Sequence, residues 1–273
     1  MLVLTWSTAV ADAQLQVLPK CESQCFFADG LRTISVVWSN HTDNAVTVPI
    51  KMRIYQASSE IAAAWGDPQD WKQLQVLPHQ VILEKASVTV PPVKAVSRFI
   101  VQWLGETNKV FGTSELMIYP TNLLDELKPL LGEHGTALGV LDPANQIKPV
   151  LKNAGIGFAD LDEGWLGNFS GRLVLIGPCT DIDQEWTGLA GRIRKLSARG
   201  NGVVWIQALP EKNHKLWPSF FAVPHGARAV VIAQPAVVEN LAENPQSQLN
   251  LVYFCKLALQ AQPLVIPDLS SNP

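Results

Sequence analysis

Three groups of residues in this sequence have types and spacings that chemistry could use. Cys179 follows the apolar run Arg172–Ile176 and the dipeptide Gly177-Pro178. Its thiol would therefore stand at the end of a strand, near the start of the next helix. A helix N-terminus lowers a thiol pKa and favours the thiolate nucleophile. The base would have to be His214 or His225, and Asp181, Asp183 and Glu185 oppose the thiolate. Those three carboxylates form the second group. Alternating acidic side chains supply the oxygen ligands that calcium takes. The EF-hand pattern fails, however, because Trp186 stands where glycine is needed and Arg192 where glutamate is needed. Acidic residues entering a helix also stabilise its positive end, which accounts for the same spacing. The third group is aromatic. There are nine tryptophans, and Trp65 and Trp71 flank a loop signal, Gly66-Asp67-Pro68, where they could stack on a sugar or anchor a protein. Trp38, Trp103 and Trp205 fall in apolar runs and are assigned to the core.

No resident cofactor is expected. The sequence lacks the phosphate loop, the GxSxG elbow and the HExxH helix. Gly155-Ile156-Gly157 follows a helical run, so it reads as a helix end and not as a dinucleotide loop. The five histidines are dispersed, and Cys255 sits within an apolar helix.

Composition narrows the classes further. The chain has 273 residues, 47% hydrophobic and 16% charged. It is too apolar to be disordered. Residues 1–120 carry 9 basic and 10 acidic side chains (net −1), and the remainder carries 12 and 14 (net −2). Neither half has the basic balance that tracks phosphates, so nucleic acid is not an expected partner. No apolar run reaches the roughly 20 residues a spanning helix needs. Leu2–Val10 followed by Ala11-Asp12-Ala13 resembles the end of a secretory signal without its basic start, so residues 1–13 are read as a truncated signal peptide. Export would make Cys21 and Cys25 a candidate disulfide. Asn40-His41-Thr42 and Asn168-Phe169-Ser170 fit the glycosylation sequon.

The elements that must position these residues change character near Pro120. Residues 15–120 hold short β-branched runs between turn signals: 31–38, 45–55, 74–77, 81–90, 97–104 and 110–119. Such runs predict an antiparallel sandwich, interrupted at Ile61–Trp71. From 121 to 265 the period becomes helical and then alternates. Helices are expected over 122–131, with Pro129 disturbing it, and over 145–153, 185–198 and 246–260, the last with Tyr253 inward. Strands are expected over 136–141, 156–160, 172–176, 202–207 and 227–233. Alternation of this kind implies a mainly parallel five-stranded sheet of the flavodoxin-like type, with strand order 2-1-3-4-5.

Leu141-Asp142-Pro143, Gly155-Ile156, Leu173-Val174-Leu175-Ile176-Gly177-Pro178 and Arg199-Gly200-Asn201-Gly202-Val203-Val204-Trp205 carry a resemblance. From Thr136 onward the chain resembles the class I glutamine amidotransferase-like fold. Degenerate domains of that fold occur beside immunoglobulin-like modules in exported bacterial proteins. Active members place a cysteine on a glycine-flanked turn after the fourth strand. Here that strand ends Trp205-Ile206-Gln207-Ala208-Leu209-Pro210, and His225 lies in Pro224-His225-Gly226 with no His-x-Glu pair. The resemblance thus implies a pseudoenzyme.

The expectation is a β + α/β chain, an antiparallel immunoglobulin-like sandwich followed by a flavodoxin-like sheet. Its expected role is that of a noncatalytic exported recognition or scaffold subunit of an envelope-associated assembly, periplasmic or extracellular, with protein partners. The expected contact surface is the carboxyl edge of the parallel sheet, 142–146, 177–184 and 207–214, with the 65–71 loop. Its binding candidates are Asp142, Gln146, Cys179, Asp181, Gln207, Trp65 and Trp71. A hydrolase or amidase using Cys179, and a carbohydrate-binding accessory protein, are the alternatives.

Overall fold

The computed structural model describes residues 15–20, 23–58, 60–132, 137–161, 166–178, 186–207, 220–225 and 228–260. It is a mixed α/β chain, mostly strands, with antiparallel and mixed sheets and few helices. It divides into two units, Met1–Thr121 and Asn122–Pro273. Among the described residues no helix is long and apolar enough to cross a membrane.

Among the described residues the first unit holds eight strands: β1 (Leu15–Leu18), β2 (Gln24–Phe27), β3 (Gly30–Asn40), β4 (Val46–Ala57), β5 (Ala62–Val76), β6 (Val81–Val90), β7 (Ser97–Leu104) and β8 (Val110–Tyr119). They form a three-stranded sheet, β1-β3-β6, and a five-stranded sheet, β2-β8-β7-β4-β5. Alternation along each strand supplies the inward faces. Ile34, Val36 and Trp38 of β3 share one core with Ile50, Met52 and Ile54 of β4 and with Phe99, Val101 and Trp103 of β7. All pairings are antiparallel except β2 with β8, which run parallel. β2 also touches the smaller sheet through a side chain. The β1–β3 ladder stops at Leu18↔Val37, and two residues on, the Gln24 carboxamide takes over as a strand mimic. It accepts the Ser35 N–H at 2.8 Å and donates to the Ser35 carbonyl at 3.0 Å.

One sequence expectation is corrected here. Ile61–Trp71 is not a break; it lies almost wholly within the 15-residue strand β5. Register shifts against β4 between Ile50 and Lys51, and between Met52 and Ile54, absorb the extra residues. Gly66 takes φ 79° there, and Pro68 is tolerated because β5 is an edge strand with one side unpaired. The sequon at Asn40 is structural. Asn40 is 1% exposed. Its amide donates to the carbonyls of Asn44, Val76 and Leu77, and its oxygen accepts from the Thr42 N–H and hydroxyl.

The second unit holds a six-stranded sheet: β9 (Leu138–Leu141), β10 (Ala159–Asp160), β11 (Leu173–Ile176), β12 (Gly202–Ile206), β13 (Phe220–His225) and β14 (Arg228–Ala233). Its order is β10-β9-β11-β12-β14-β13. The first five run parallel, and β13 is an antiparallel edge strand paired to β14. The sequence pattern contains the five parallel strands and misses β13, whose apolar run Phe220-Phe221-Ala222-Val223 shows no alternation and runs into Pro224-His225. β9, β11 and β12 are buried throughout, as expected of strands covered on both faces.

Four helices among the described residues follow: α1 (Lys128–Leu131), α2 (Lys148–Asn153), α3 (Trp186–Ala198) and α4 (Pro245–Leu259). Leu189, Ile193 and Leu196 of α3 cover one face of the sheet. Leu151 of α2, and Leu251, Phe254 and Ala258 of α4, cover the other. α4 lies so close to β12 that a Cβ on Gly202 would come within 2.5 Å of the Ala258 carbonyl oxygen. Two helices are shorter than the sequence suggests. The segment 123–127 is 3-10, and Pro129 confines α-helix to four residues after it. Asn145 takes φ 51°, so α2 begins three residues later than expected. Tyr253 is exposed instead of inward; Phe254 takes the core position beside it.

Asn40→Ala should cost about 2 kcal/mol in urea unfolding, because it leaves buried carbonyls without a donor; an unchanged midpoint would show the clamp to be idle. Burial pushes the Cys255 thiol pKa up to about 12. Iodoacetamide at pH 8 should therefore leave Cys255 unmodified in the folded chain and alkylate it after denaturation, as read by peptide mass spectrometry.

Candidate functional site at the carboxyl edge

In an open α/β sheet, ligands bind beyond the carboxyl ends of the strands where the strand order reverses. Here that place lies between β9 and β11, since β9 is followed in sequence by β10 on one side and by β11 on the other. Asp142 directly follows β9 and Gly177 directly follows β11.

Asp142 is 3% exposed. Its Oδ2 accepts the backbone N–H of Ile147 at 2.7 Å and of Lys148 at 2.9 Å. Ile147, in the cap position of α2, has no side-chain acceptor to offer, so Asp142 caps the helix from five residues upstream. The left-handed backbone at Asn145 makes this reach possible by turning the chain back. Oδ1 of the same carboxylate is buried without a hydrogen-bond partner among the described residues. It fits because residue 177 is glycine: a Cβ there would lie 2.6 Å from Oδ1. The Gly177 N–H continues the ladder by donating to the Leu141 carbonyl at 2.7 Å. Lys148 reaches Asp160, at the end of β10, with a 2.6 Å ion pair. Gln207 extends β12, its N–H donating to Ala233 at 2.8 Å, and the residue is 7% exposed.

An open cleft of about 730 Å³ borders this edge. One wall is Gln146, Ile147 and Val150 at the start of α2; the other is the segment Pro235–Glu243 after β14. Helix α4 fixes that second wall with three side chains. Ser247 Oγ donates to the Glu239 carbonyl at 2.6 Å, Gln248 Nε2 to Leu241 at 2.9 Å and Asn250 Nδ2 to Val237 at 2.8 Å. Asn244 caps α4 by accepting the Gln246 N–H at 3.0 Å. Buried polar side chains must be hydrogen-bonded to be tolerated; Ser247 and Gln248 meet that need by holding the loop. A smaller pocket of about 200 Å³ in the first unit is lined by Lys20, Gln24 and Glu115 among others. Its Gln24 amide is already committed to Ser35.

The structure therefore brings Asp142, Gln146 and Gln207 to one edge of the sheet. Cys179, Asp181, Asp183, Glu185 and His214 lie outside the described residues, as does Cys21. His225 stands at the other end of the sheet: it pairs with Arg228, the first residue of β14. A strand of six residues spans roughly 16 Å, which places His225 far from Pro178, the last described residue before Cys179. Trp71 is no platform partner for Trp65. It stacks on Trp38 at 6.2 Å and lies 5.0 Å from Trp103, with the Lys72 ammonium over its ring. Trp65 is 49% exposed on the edge strand. Among the described residues no group of three metal-ligating side chains converges. Sequence reasoning missed Glu239, Asn240 and the three polar side chains of α4. Their signal is present: Ser247, Gln248 and Asn250 interrupt the apolar face of a helix that begins at a proline.

No family model matches the chain, and no curated protein sequence does. Similar solved structures include an alkylpurine DNA glycosylase, AlkC, of Pseudomonas fluorescens bound to DNA containing an abasic-site analogue. It is 13% identical, with 40% of this chain and 31% of the glycosylase covered and a TM-score of 0.30. A Niemann-Pick type C2 protein from Japanese carpenter ant is 8% identical over 36% of this chain and 80% of its own, with a TM-score of 0.28. The CARDB domain of a Pyrococcus furiosus protein is 18% identical over 39% of this chain and 94% of its own, with a TM-score of 0.25. The chain spans less than a third of the glycosylase. Likenesses of this size carry no argument about what the protein does.

Gly177→Ala should destabilise the chain by about 1–3 kcal/mol, since the added methyl meets a packed carboxylate. A urea midpoint equal to that of the unsubstituted chain would contradict the packing of Asp142 on Gly177.

Proposed function

We propose that the protein is a noncatalytic recognition or scaffold subunit of an exported, envelope-associated assembly, and that it engages a protein partner through the carboxyl edge of its parallel sheet. The observation that carries the reading is the commitment of this edge to holding surfaces in place. Asp142, the most buried carboxylate there, is spent on capping α2. Three polar side chains of α4 are spent on fixing the facing loop. Preorganised walls cut the ordering cost of binding. After the fourth parallel strand stands Gln207, an amide, where an amidotransferase would carry its nucleophile.

The finer description of the fold belongs to the same proposal. The first unit is taken as an immunoglobulin-like sandwich. The second is taken as a flavodoxin-like sheet descended from a glutamine amidotransferase-like domain. The order of the five parallel strands supports this, as does the run Leu173–Pro178. Export rests on the Ala11-Asp12-Ala13 site.

Site-specific photocrosslinking in the cells of origin tests the proposal. A benzoylphenylalanine at Gln146, in the cleft wall, should give a discrete adduct in the envelope fraction. The same group at Glu106, in an exposed turn of the first unit, should not. No adduct from Gln146, or the same adduct from both positions, would contradict the assigned surface.

A further inference from the structure

The cleft beside α2 has a chemistry that narrows its ligand, an inference that rests on reading this edge as a recognition surface. Its volume, about 730 Å³, lies in the range of sites that enclose a side chain or a small molecule. The accessible apolar part of its lining comes from Val150, Pro235, Ala236 and Ala242, over the buried Ile147, Val238 and Leu241, and its charged part from Glu239 and Glu243. No lysine or arginine lines it among the described residues. The two cations of the neighbouring helix are engaged elsewhere: Lys148 is paired with Asp160, and the Lys152 ammonium lies over the Phe158 ring. Neither glutamate is drawn into an ion pair among the described residues. The backbone that carries Glu239 is fixed by Ser247, whose hydroxyl holds its carbonyl, so one carboxylate is presented from a rigid wall. An open, half-apolar cleft with two carboxylates outside any ion pair and no competing cation among the described residues fits an alkyl chain that ends in a positive charge. Such a chain buries its methylenes and leaves its head at the rim.

We propose that this cleft receives a lysine or arginine side chain presented by the protein partner. The stem lies along Val150 and Pro235, and the cationic head sits between Glu239 and Glu243. A neutral or acidic side chain in the same place would lose the charge complementarity that steers and discriminates partners.

The test uses the full chain and three short peptides, acetyl-Ala-Ala-Lys-Ala-Ala-amide and its Leu and Glu counterparts, followed by nitrogen-15 amide shifts. The Lys peptide should shift the amides of Ile147, Val150 and Leu241, and the Leu and Glu peptides should not. The double variant Glu239→Gln, Glu243→Gln should weaken the Lys peptide roughly tenfold. These are exposed side chains, so the variant should fold as the parent does, and its unperturbed spectrum elsewhere checks this. Absence of shifts with the Lys peptide would overturn the proposal, as would equal shifts from all three peptides or an unchanged affinity in the double variant. A crosslink at Gln146 without Lys-peptide binding would remove the cationic ligand and leave the recognition edge standing. Loss of both would remove both.

Discussion

The second unit depends on one carboxylate. Asp142, directly after β9, holds the first turn of α2 by two hydrogen bonds and packs on Gly177, which is itself bonded to the Leu141 carbonyl at the end of β9. A short helix such as α2, six residues long, has little stability of its own because nucleation is unfavourable. Its start is fixed by the charge-assisted bonds from Ile147 and Lys148 and by the attraction between a carboxylate and the positive helix end. Burying Leu151 and Ile147 against the sheet then stabilises the remainder. The unpartnered Oδ1 shows the cost of this arrangement. A buried acceptor without a donor is unfavourable by about 1–3 kcal/mol, and the structure tolerates it to keep the two strand ends together.

The same device recurs elsewhere in the chain. At several ladder and helix ends a polar side chain takes the role of backbone. Gln24 extends the β1–β3 ladder by one step. Asn40 clamps the turn before β4 to the end of β5. Ser247, Gln248 and Asn250 satisfy the carbonyls of an irregular segment that crosses the sheet edge. Each solves the same problem, that buried N–H and C=O groups need partners. In the first unit this fastens turns. At the carboxyl edge it carves a cleft whose walls cannot relax independently.

What the sequence makes legible is the part governed by period. Leu138–Leu141, Leu173–Ile176, Gly202–Ile206 and Ala229–Ala233 are uninterrupted runs without a polar side chain, and a strand buried on both faces accounts for such short runs between turn signals. Asp142 stands out for its place at the end of one run. Features set by tertiary contact were not legible. Gly66 and Pro68 read locally as a loop, yet an open sheet edge tolerates both. Trp71 reads like Trp65 until Trp38 and Trp103 are found beside it. β13 has no periodicity of its own and exists because β14 offers it an edge. The cleft is assembled from segments almost a hundred residues apart, so neither wall announces the other.

The most direct measurement is amide hydrogen exchange at Ile147 and Lys148 in the full chain. If Asp142 fastens the start of α2, both amides exchange as slowly as Leu151, whose N–H is held by the Ile147 carbonyl. Exchange at the rate of an exposed turn would mean that the carboxylate does not hold the helix and that the cleft has no fixed wall.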